Sequence, residues 1–225
     1  MTSSELSTVF PVFLLVDVSA SMTGGPIAAV NRALPGIRAA MRTDPLVGEI
    51  ARVGLTTFSD EARVVIPLCD LADAHLPELN AAGGTDFAAA FRGMRRAIET
   101  GMTALPQGTP VYRPVVFFMS DGRHQAGEDW TGPLRELRDG GWKFAPEVVS
   151  FGFGDSHPES LQRIASRFTF TAKGEDPATQ VGEIMDAILG SIRTTSTSLA
   201  DPAKAQGLYL DTPAAHFTPL PAITI

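Results

Sequence analysis

Short apolar runs alternate along the chain with longer segments in which apolar residues recur at three- and four-residue intervals. The short runs predict β-strands, and an unbroken run such as residues 12–16 is typical of a strand that is covered on both faces. The predicted strands are residues 12–16, 51–58, 62–68, 114–119, 146–151 and 168–171. The helical spacing predicts helices over residues 27–41, 87–98, 132–138, 158–167 and 176–192.

The order of these elements predicts an α/β fold. Strands that alternate with helices form parallel sheets, because each helix carries the chain back to the start of the next strand. The link between residues 51–58 and 62–68 is too short for such a crossover, so this pair forms an antiparallel hairpin at a sheet edge. We therefore expect a doubly wound, mostly parallel six-stranded sheet with one antiparallel edge strand and helices on both faces.

The chain changes character after residue 193. A hydroxyl-rich tract, residues 194–198, is typical of a linker, and its Ser and Thr residues are also candidate phosphorylation sites. We predict one domain over residues 1–193 and a tail over residues 194–225. The tail carries apolar residues that can dock on the domain or on a partner: Leu208, Tyr209, Leu210, Phe217, Leu220, Ile223 and Ile225.

Composition and charge narrow the function classes. The chain has 225 residues and a formal net charge of −7, with 18 basic residues against 25 acidic ones, which disfavours nucleic acid as a partner. The apolar run at residues 9–16 is far shorter than the roughly 20 residues that span a bilayer, so no membrane partner is expected. The single cysteine, Cys69, excludes an internal disulfide and indicates a reducing compartment. We expect a cytoplasmic protein.

Oxygen-bearing side chains collect where predicted strands end. Asp17, Ser19 and Ser21 follow the first strand, Thr85 follows Gly83-Gly84 at the start of a helix, and Asp121 follows the strand at residues 114–119. Ligands of open α/β sheets bind at the carboxyl ends of the strands. Carboxylate and hydroxyl oxygens without nitrogen or sulfur suit Mg²⁺, and also Mn²⁺ or Ca²⁺. His124, Glu128 and Asp129, in the loop after Asp121, are interpreted as a solvated loop or as residues that shape selectivity.

This arrangement resembles the metal-ion-dependent adhesion site of von Willebrand factor A domains. The resemblance covers residues 9–193 and matches the order and spacing of all three parts of that site. It implies that Ser19, Ser21 and Thr85 coordinate the metal directly, and that Asp17 and Asp121 do so directly or through water. The chain is most similar to the short cytoplasmic bacterial members found with tellurium-resistance proteins, some of which accompany protein kinases and phosphatases.

Two functions fit this site. The first is a non-enzymatic module for a stress-response or signalling complex, in which the metal binds a Glu or Asp carboxylate of a partner protein. The alternative is a Mg²⁺-dependent phosphohydrolase or phosphotransferase that uses the same strand ends. The second aspartate of a D-x-D phosphatase motif is replaced by Ser19, and no phosphate-binding glycine loop or nucleophile elbow is found. We therefore expect no catalytic residues.

Overall fold

The computed structural model describes residues 8–121, 124–125, 127–172, 176–200, 207–213 and 217–223. Within them the strands are β1 (Phe10–Asp17), β2 (Ala51–Phe58), β3 (Ala62–Cys69), β4 (Val115–Ser120), β5 (Glu147–Gly152), β6 (Phe168–Thr171) and β7 (Thr218–Pro221). The helices are α1 (Gly25–Thr43), α2 (Pro45–Ile50), α3 (Phe87–Ala104), α4 (Thr131–Leu137), α5 (Pro158–Ile164) and α6 (Pro177–Leu199). Among these residues no helix is both long enough and apolar enough to cross a membrane.

The described strands form one sheet in the order β3-β2-β1-β4-β5-β6-β7. Strands β2, β1, β4, β5 and β6 run parallel, and β3 and β7 pair antiparallel at the two edges. The α/β prediction is confirmed, with two corrections. The described sheet has seven strands instead of six, and it has an antiparallel strand at both edges instead of one. The short helix α2 was also not predicted.

Both faces of the sheet are covered, as the continuous burial of β1 requires. Val12, Leu14 and Val16 of β1 join a core cluster with α1, α2 and α6. Phe13 and Leu15 point the other way and join a second cluster with α3, α4 and α5. This alternation follows from the period of two along a strand.

The segment expected to be a linker is helical. Helix α6 continues to Leu199, so residues 194–198 do not form a linker, and the predicted domain boundary at residue 193 falls inside the helix. Thr195 and Ser196 are buried, which also removes these two hydroxyls as accessible phosphorylation sites in the folded chain. The sequence reasoning failed here because Ser and Thr favour linkers only when tertiary packing does not decide otherwise.

The tail docks on the domain. Tyr209 exchanges hydrogen bonds of 3.1 Å with the Thr195 hydroxyl through both its backbone N–H and its carbonyl oxygen. The N–H of Asp211 donates to Ser191 Oγ at 2.9 Å. Phe217 is buried in the α1/α6 core, and Leu208 and Leu210 pack against that core. Ile225 lies outside the described residues.

Candidate metal centre

The centre of the site is where β1 and β4 end side by side. Their parallel register pairs Val16 with Met119, so Asp17 follows on one strand and Ser120 on the next. A short 3-10 turn, Ala20–Met22, then reverses the chain, and the fully buried Met22 anchors it in the core. Predicted ligands far apart in sequence are therefore held at one edge of a rigid sheet.

Four of the five predicted ligands form a connected hydrogen-bond chain. The backbone N–H of Ser19 donates to Asp17 Oδ1 at 2.8 Å. The hydroxyls of Ser19 and Ser21 lie 3.0 Å apart, and Ser21 Oγ donates to Asp121 Oδ1 at 2.8 Å. The structure thus places two carboxylates and two hydroxyls within hydrogen-bond reach of one another along the chain.

Thr85, the fifth predicted ligand, is buried in the neighbouring loop. This loop is joined to the first one because the N–H of Ala20 donates to the carbonyl oxygen of Gly83 at 3.0 Å. Thr85 and Asp86 both precede helix α3, and each is a residue type that can cap a helix. In the structure Asp86 is the cap and accepts from Ala89 N at 2.6 Å, so the Thr85 hydroxyl is not used for that purpose.

The two glycines before Thr85 are required by close packing. Gly83 has a φ of +84°, and a Cβ there would lie 2.5 Å from Asp60 Oδ2. A Cβ on Gly84 would lie 2.8 Å from Asp60 Oδ1, which accepts the Gly84 N–H at 2.9 Å. Asp60 in the β2–β3 turn therefore holds the Thr85 loop in place, and only glycine fits against it.

Burial disfavours the charged form of the two carboxyl groups of the site when no cation is bound. Desolvation raises the pKa of Asp17 to about 6, although hydrogen bonds from Ser120 and Ser19 oppose this rise. Desolvation also raises the pKa of Asp121, and the nearby Asp155 adds to the effect. Among the described residues neither carboxyl forms an ion pair with a basic side chain. A divalent cation bound between them would supply a counter-charge for this pair.

The residues present fit a hard divalent cation. The donors are carboxylate and hydroxyl oxygens, which are the ligands that Mg²⁺ and Mn²⁺ accept. Among the described residues no group of three or more His, Cys, Asp or Glu side chains could hold a metal. A metal site in this part of the chain would therefore need hydroxyl oxygens beside its carboxylates. The ligand set itself stays a prediction.

The sequence did not identify Ser120, and it left two interpretations open for Glu128 and Asp129. The hydroxyl of Ser120 donates to Asp17 Oδ2 at 2.6 Å, and its position just before Asp121 at a strand end was the available signal. Glu128 accepts from the backbone N–H of Ala88 and so ties the loop after β4 to the start of α3. Asp129 accepts the Thr131 hydroxyl at 2.8 Å at the start of α4. These two acidic side chains fix the loop.

His124 also has a structural contact. Its ring centroid lies 5.8 Å from that of Phe87 and 5.5 Å from that of Trp130. Its Nδ1 lies 3.0 Å from the carbonyl oxygen of Gln125. Gly122, which follows Asp121, lies outside the described residues.

Known proteins share this fold. A domain of proximal thread matrix protein 1 from the mussel byssus superposes with a TM-score of 0.60 at 16% identity, covering 84% of this chain and 49% of that one. Another structure of the mussel protein has a zinc-occupied MIDAS motif. A von Willebrand factor type A protein from Catenulispora acidiphila gives a TM-score of 0.58 at 17% identity, covering 83% of this chain and 43% of that one. The pilus adhesin SpaC of Lactobacillus rhamnosus GG gives a TM-score of 0.60 at 14% identity, covering 83% of this chain and 30% of that one.

The chain thus spans half or less of the length of these structural relatives. No curated protein matches its sequence. The family model of the von Willebrand factor type A domain matches residues 12–124, which is half of the chain and includes every predicted metal ligand. The chain therefore belongs to the von Willebrand factor type A domain family.

Proposed function

We propose that this protein is a metal-dependent interaction module that binds an acidic residue of a partner protein. Asp17, Ser19, Ser21, Thr85 and Asp121 hold a divalent cation of the Mg²⁺ type in this proposal. The observation that carries it is the hydrogen-bond chain from Asp17 to Asp121, which contains two partly or fully buried carboxylates and no basic partner among the described residues.

The charge balance of the site favours an anionic partner group. Two carboxylates neutralise a dication formally, but hydroxyl ligands add no charge, so the ion stays electrophilic. A six-coordinate Mg²⁺ with three hydroxyls and one or two carboxylate oxygens keeps at least one exchangeable water. A Glu or Asp carboxylate of a partner can replace that water and gain Coulombic attraction.

The surface beside the site supports docking of a protein. A polar cleft of about 410 Å³ adjoins the metal loops and is lined in part by Val18, Asp60, Arg63 and Asn80. This cleft offers hydrogen-bond donors and acceptors next to the metal, so it can distinguish partners that present the same carboxylate. The metal supplies affinity in this arrangement, and the cleft supplies specificity.

The chemistry of the chain favours binding over catalysis. Ser19 stands where a phosphatase of the D-x-D type has its second aspartate, so that acid/base group is missing. As the wider setting we propose a cytoplasmic stress-response or signalling complex of a bacterium. The sequence resemblance to proteins associated with tellurium resistance supports this setting and suggests a kinase or phosphatase of the same system as partner.

Metal binding is tested first, with the ion alone. If Mg²⁺ binds only the folded protein, a concentration of 100 times Kd stabilises it by about 2.7 kcal/mol. For a chain of this size the melting temperature then rises by roughly 5–10 °C. Asp17→Asn and Asp121→Asn should lose most of this shift. Asp155→Asn is the matched control, because Asp155 is an exposed neighbouring carboxylate outside the ligand set.

Partner binding is tested by affinity capture with the wild-type protein and Asp121→Asn, each in Mg²⁺ and in chelator. We expect a protein that is retained only by the wild type in Mg²⁺. Substitution of one acidic residue of that partner by its amide should weaken binding about as much as Asp121→Asn. A verified partner that binds equally well in chelator would contradict the proposal even if the metal shift is observed.

A further inference from the structure

A cavity of about 300 Å³ lies between helix α3 and the edge strand β3, on the face of the sheet away from α1 and α6. The helix rests on the strand at two glycines. A Cβ on Gly93 would collide with the Cβ of Ala62, and a Cβ on Gly101 would lie 2.8 Å from the Cβ of Leu68. Helix and strand are thus in direct contact at two places, and the cavity is bounded by both.

The cavity exists because α3 places small side chains toward it. Ala97 and Ala104 line it from the helix, while Phe13, Val64 and Leu68 line it from the sheet. Protein interiors are normally packed to the density of organic crystals, and an unfilled apolar space forfeits dispersion contacts along its lining. A volume near 300 Å³ with mostly apolar walls falls in the range of small-molecule pockets.

Two polar groups mark the inner and outer ends of this cavity. Thr56 lines it and is only 1% exposed. Leu55 belongs to the core on the opposite face and Phe58 to the core under α3, so strand alternation directs Thr56 toward α3. Within the described residues the Thr56 hydroxyl has no hydrogen-bond partner. The hydroxyl is open to the cavity, so an oxygen of a ligand bound there can form a hydrogen bond with it.

Arg96 lies at the outer end. Its side chain lines the cavity, the residue is exposed, and it makes no ion pair in the part of the chain that the structure describes. The chain has a net charge of −7, so an unpaired guanidinium beside an apolar cavity creates a local site that favours an anion. Arginine presents a planar fork that matches a carboxylate.

We propose that this cavity binds a small amphipathic hydroxy acid. Its apolar body lies between α3 and β3, its carboxylate contacts Arg96, and an oxygen at its far end pairs with the Thr56 hydroxyl. This site is separate from the metal centre and does not depend on the proposed interaction function.

Calorimetric titration with ω-hydroxy fatty acids, from ω-hydroxyhexanoate to ω-hydroxydecanoate, tests the site. At least one member should bind the wild-type protein, with or without Mg²⁺, more tightly than the fatty acid of equal length that lacks the hydroxyl. Arg96→Gln should weaken binding about tenfold, the value of one charge-assisted hydrogen bond. Arg92→Gln, an exposed arginine of the same helix that does not line the cavity, should leave binding unchanged.

Two further variants test the interior. Thr56→Val keeps the shape of the side chain and should abolish the preference for the hydroxylated acid while preserving the fold. Ala97→Leu should fill the cavity, maintain or raise the melting temperature, and prevent binding. Absence of binding across the acid series would overturn the proposal, and so would equal affinity of the wild type for hydroxylated and plain acids. Binding that is unchanged by Arg96→Gln would do the same.

Discussion

Ser120 Oγ donates a hydrogen bond of 2.6 Å to Asp17 Oδ2 across two neighbouring parallel strands. Asp17 is fully buried, and this bond together with the one from Ser19 N satisfies both of its carboxylate oxygens. Ser120 is therefore a positioning residue for a predicted metal ligand. It orients the carboxylate and holds its pKa below the value that burial alone would give.

Ser120→Ala should raise the pKa of Asp17 further, because a hydrogen bond to the charged form is lost. We expect Mg²⁺ affinity to fall, and the pH at which half of the metal binding is lost to move upward. Unfolding free energy should fall by about 1–3 kcal/mol. Metal titrations at several pH values measure the shift.

Ser150→Ala is the matched control for that variant. Ser150 is equally buried on β5, and its hydroxyl donates to the carbonyl oxygen of Leu161 at 2.9 Å. Its loss should lower stability by a comparable amount and leave the pH profile of metal binding unchanged. Identical pH profiles for both variants would show that Ser120 has no specific role in the site.

In the metal-free protein, the contribution of Asp17 to the free energy of unfolding should decrease as the pH rises. The folded-state pKa of about 6 lies above the ordinary value of 3.8, so between these values the folded state binds more protons than the unfolded state. The stability contribution of Asp17 is therefore greatest below pH 4, falls as the pH rises to 6, and stays low above that. The full difference is about 3 kcal/mol.

Asp17→Asn isolates this contribution. In chelator, the unfolding free energy of the variant relative to the wild type should increase between pH 4 and pH 6.5, as measured by denaturant unfolding. At pH 7.5, saturating Mg²⁺ should make the wild type more stable than the variant, because only the wild type binds the metal. A difference that does not vary with pH in chelator would mean that Asp17 titrates normally.

Gly83→Ala should weaken Mg²⁺ binding as well as lower the stability of the fold through backbone strain. Gly83 and Gly108 share a φ of +84°, and each alanine substitution should cost about 1–2 kcal/mol of stability. A Cβ on Gly83 also meets Asp60, whereas a Cβ on Gly108 meets nothing within 4 Å. Calorimetry should show weakened Mg²⁺ binding for Gly83→Ala and wild-type binding for Gly108→Ala. Equal affinities would show that the Thr85 loop tolerates displacement.

The docked tail should be part of the cooperative fold. Phe217→Ala removes a buried aromatic side chain from the α1/α6 core, which typically costs about 3–5 kcal/mol. Truncation after residue 193 cuts α6 and should be worse still. Ile223→Ala, at an exposed side chain of the same tail, is the control and should have a small effect. Thermal unfolding that is unchanged by Phe217→Ala would identify the tail as an independent appendage.

The sequence predicted the parallel core well because each strand and each helix carries its own periodicity. Residues 51–58 and 168–171 were predicted with the bounds that the structure shows. Strand β7 could not be predicted, since Thr218–Pro221 contains two prolines and becomes a strand only through its pairing with β6. The tract that contains Thr195 and Ser196 was wrongly predicted to be a linker for a similar reason. Docking of Tyr209 and Asp211 stabilises the last turns of α6, and the sequence does not show this contact.

The candidate metal centre was predictable to a comparable extent. Asp17 and Asp121, two of its predicted ligands, follow strands, so the rule for strand ends in α/β sheets brings them together without a structure. The supporting residues were less visible. Asp60 acts through a turn whose relation to Gly84 depends on tertiary packing, and Glu128 contacts Ala88 from a loop with no periodicity of its own.

The prolines of β7 restrict how this protein can associate with others. Because Pro219 and Pro221 pair with Phe170 and Phe168 and cannot donate, the ladder bonds of β7 must come from Thr218 and Leu220. The proline nitrogens then face outward, where another chain would need N–H donors to add a strand. The opposite edge strand, β3, contains Pro67. Prolines in both edge strands of the described sheet therefore disfavour edge-to-edge polymerisation of this protein.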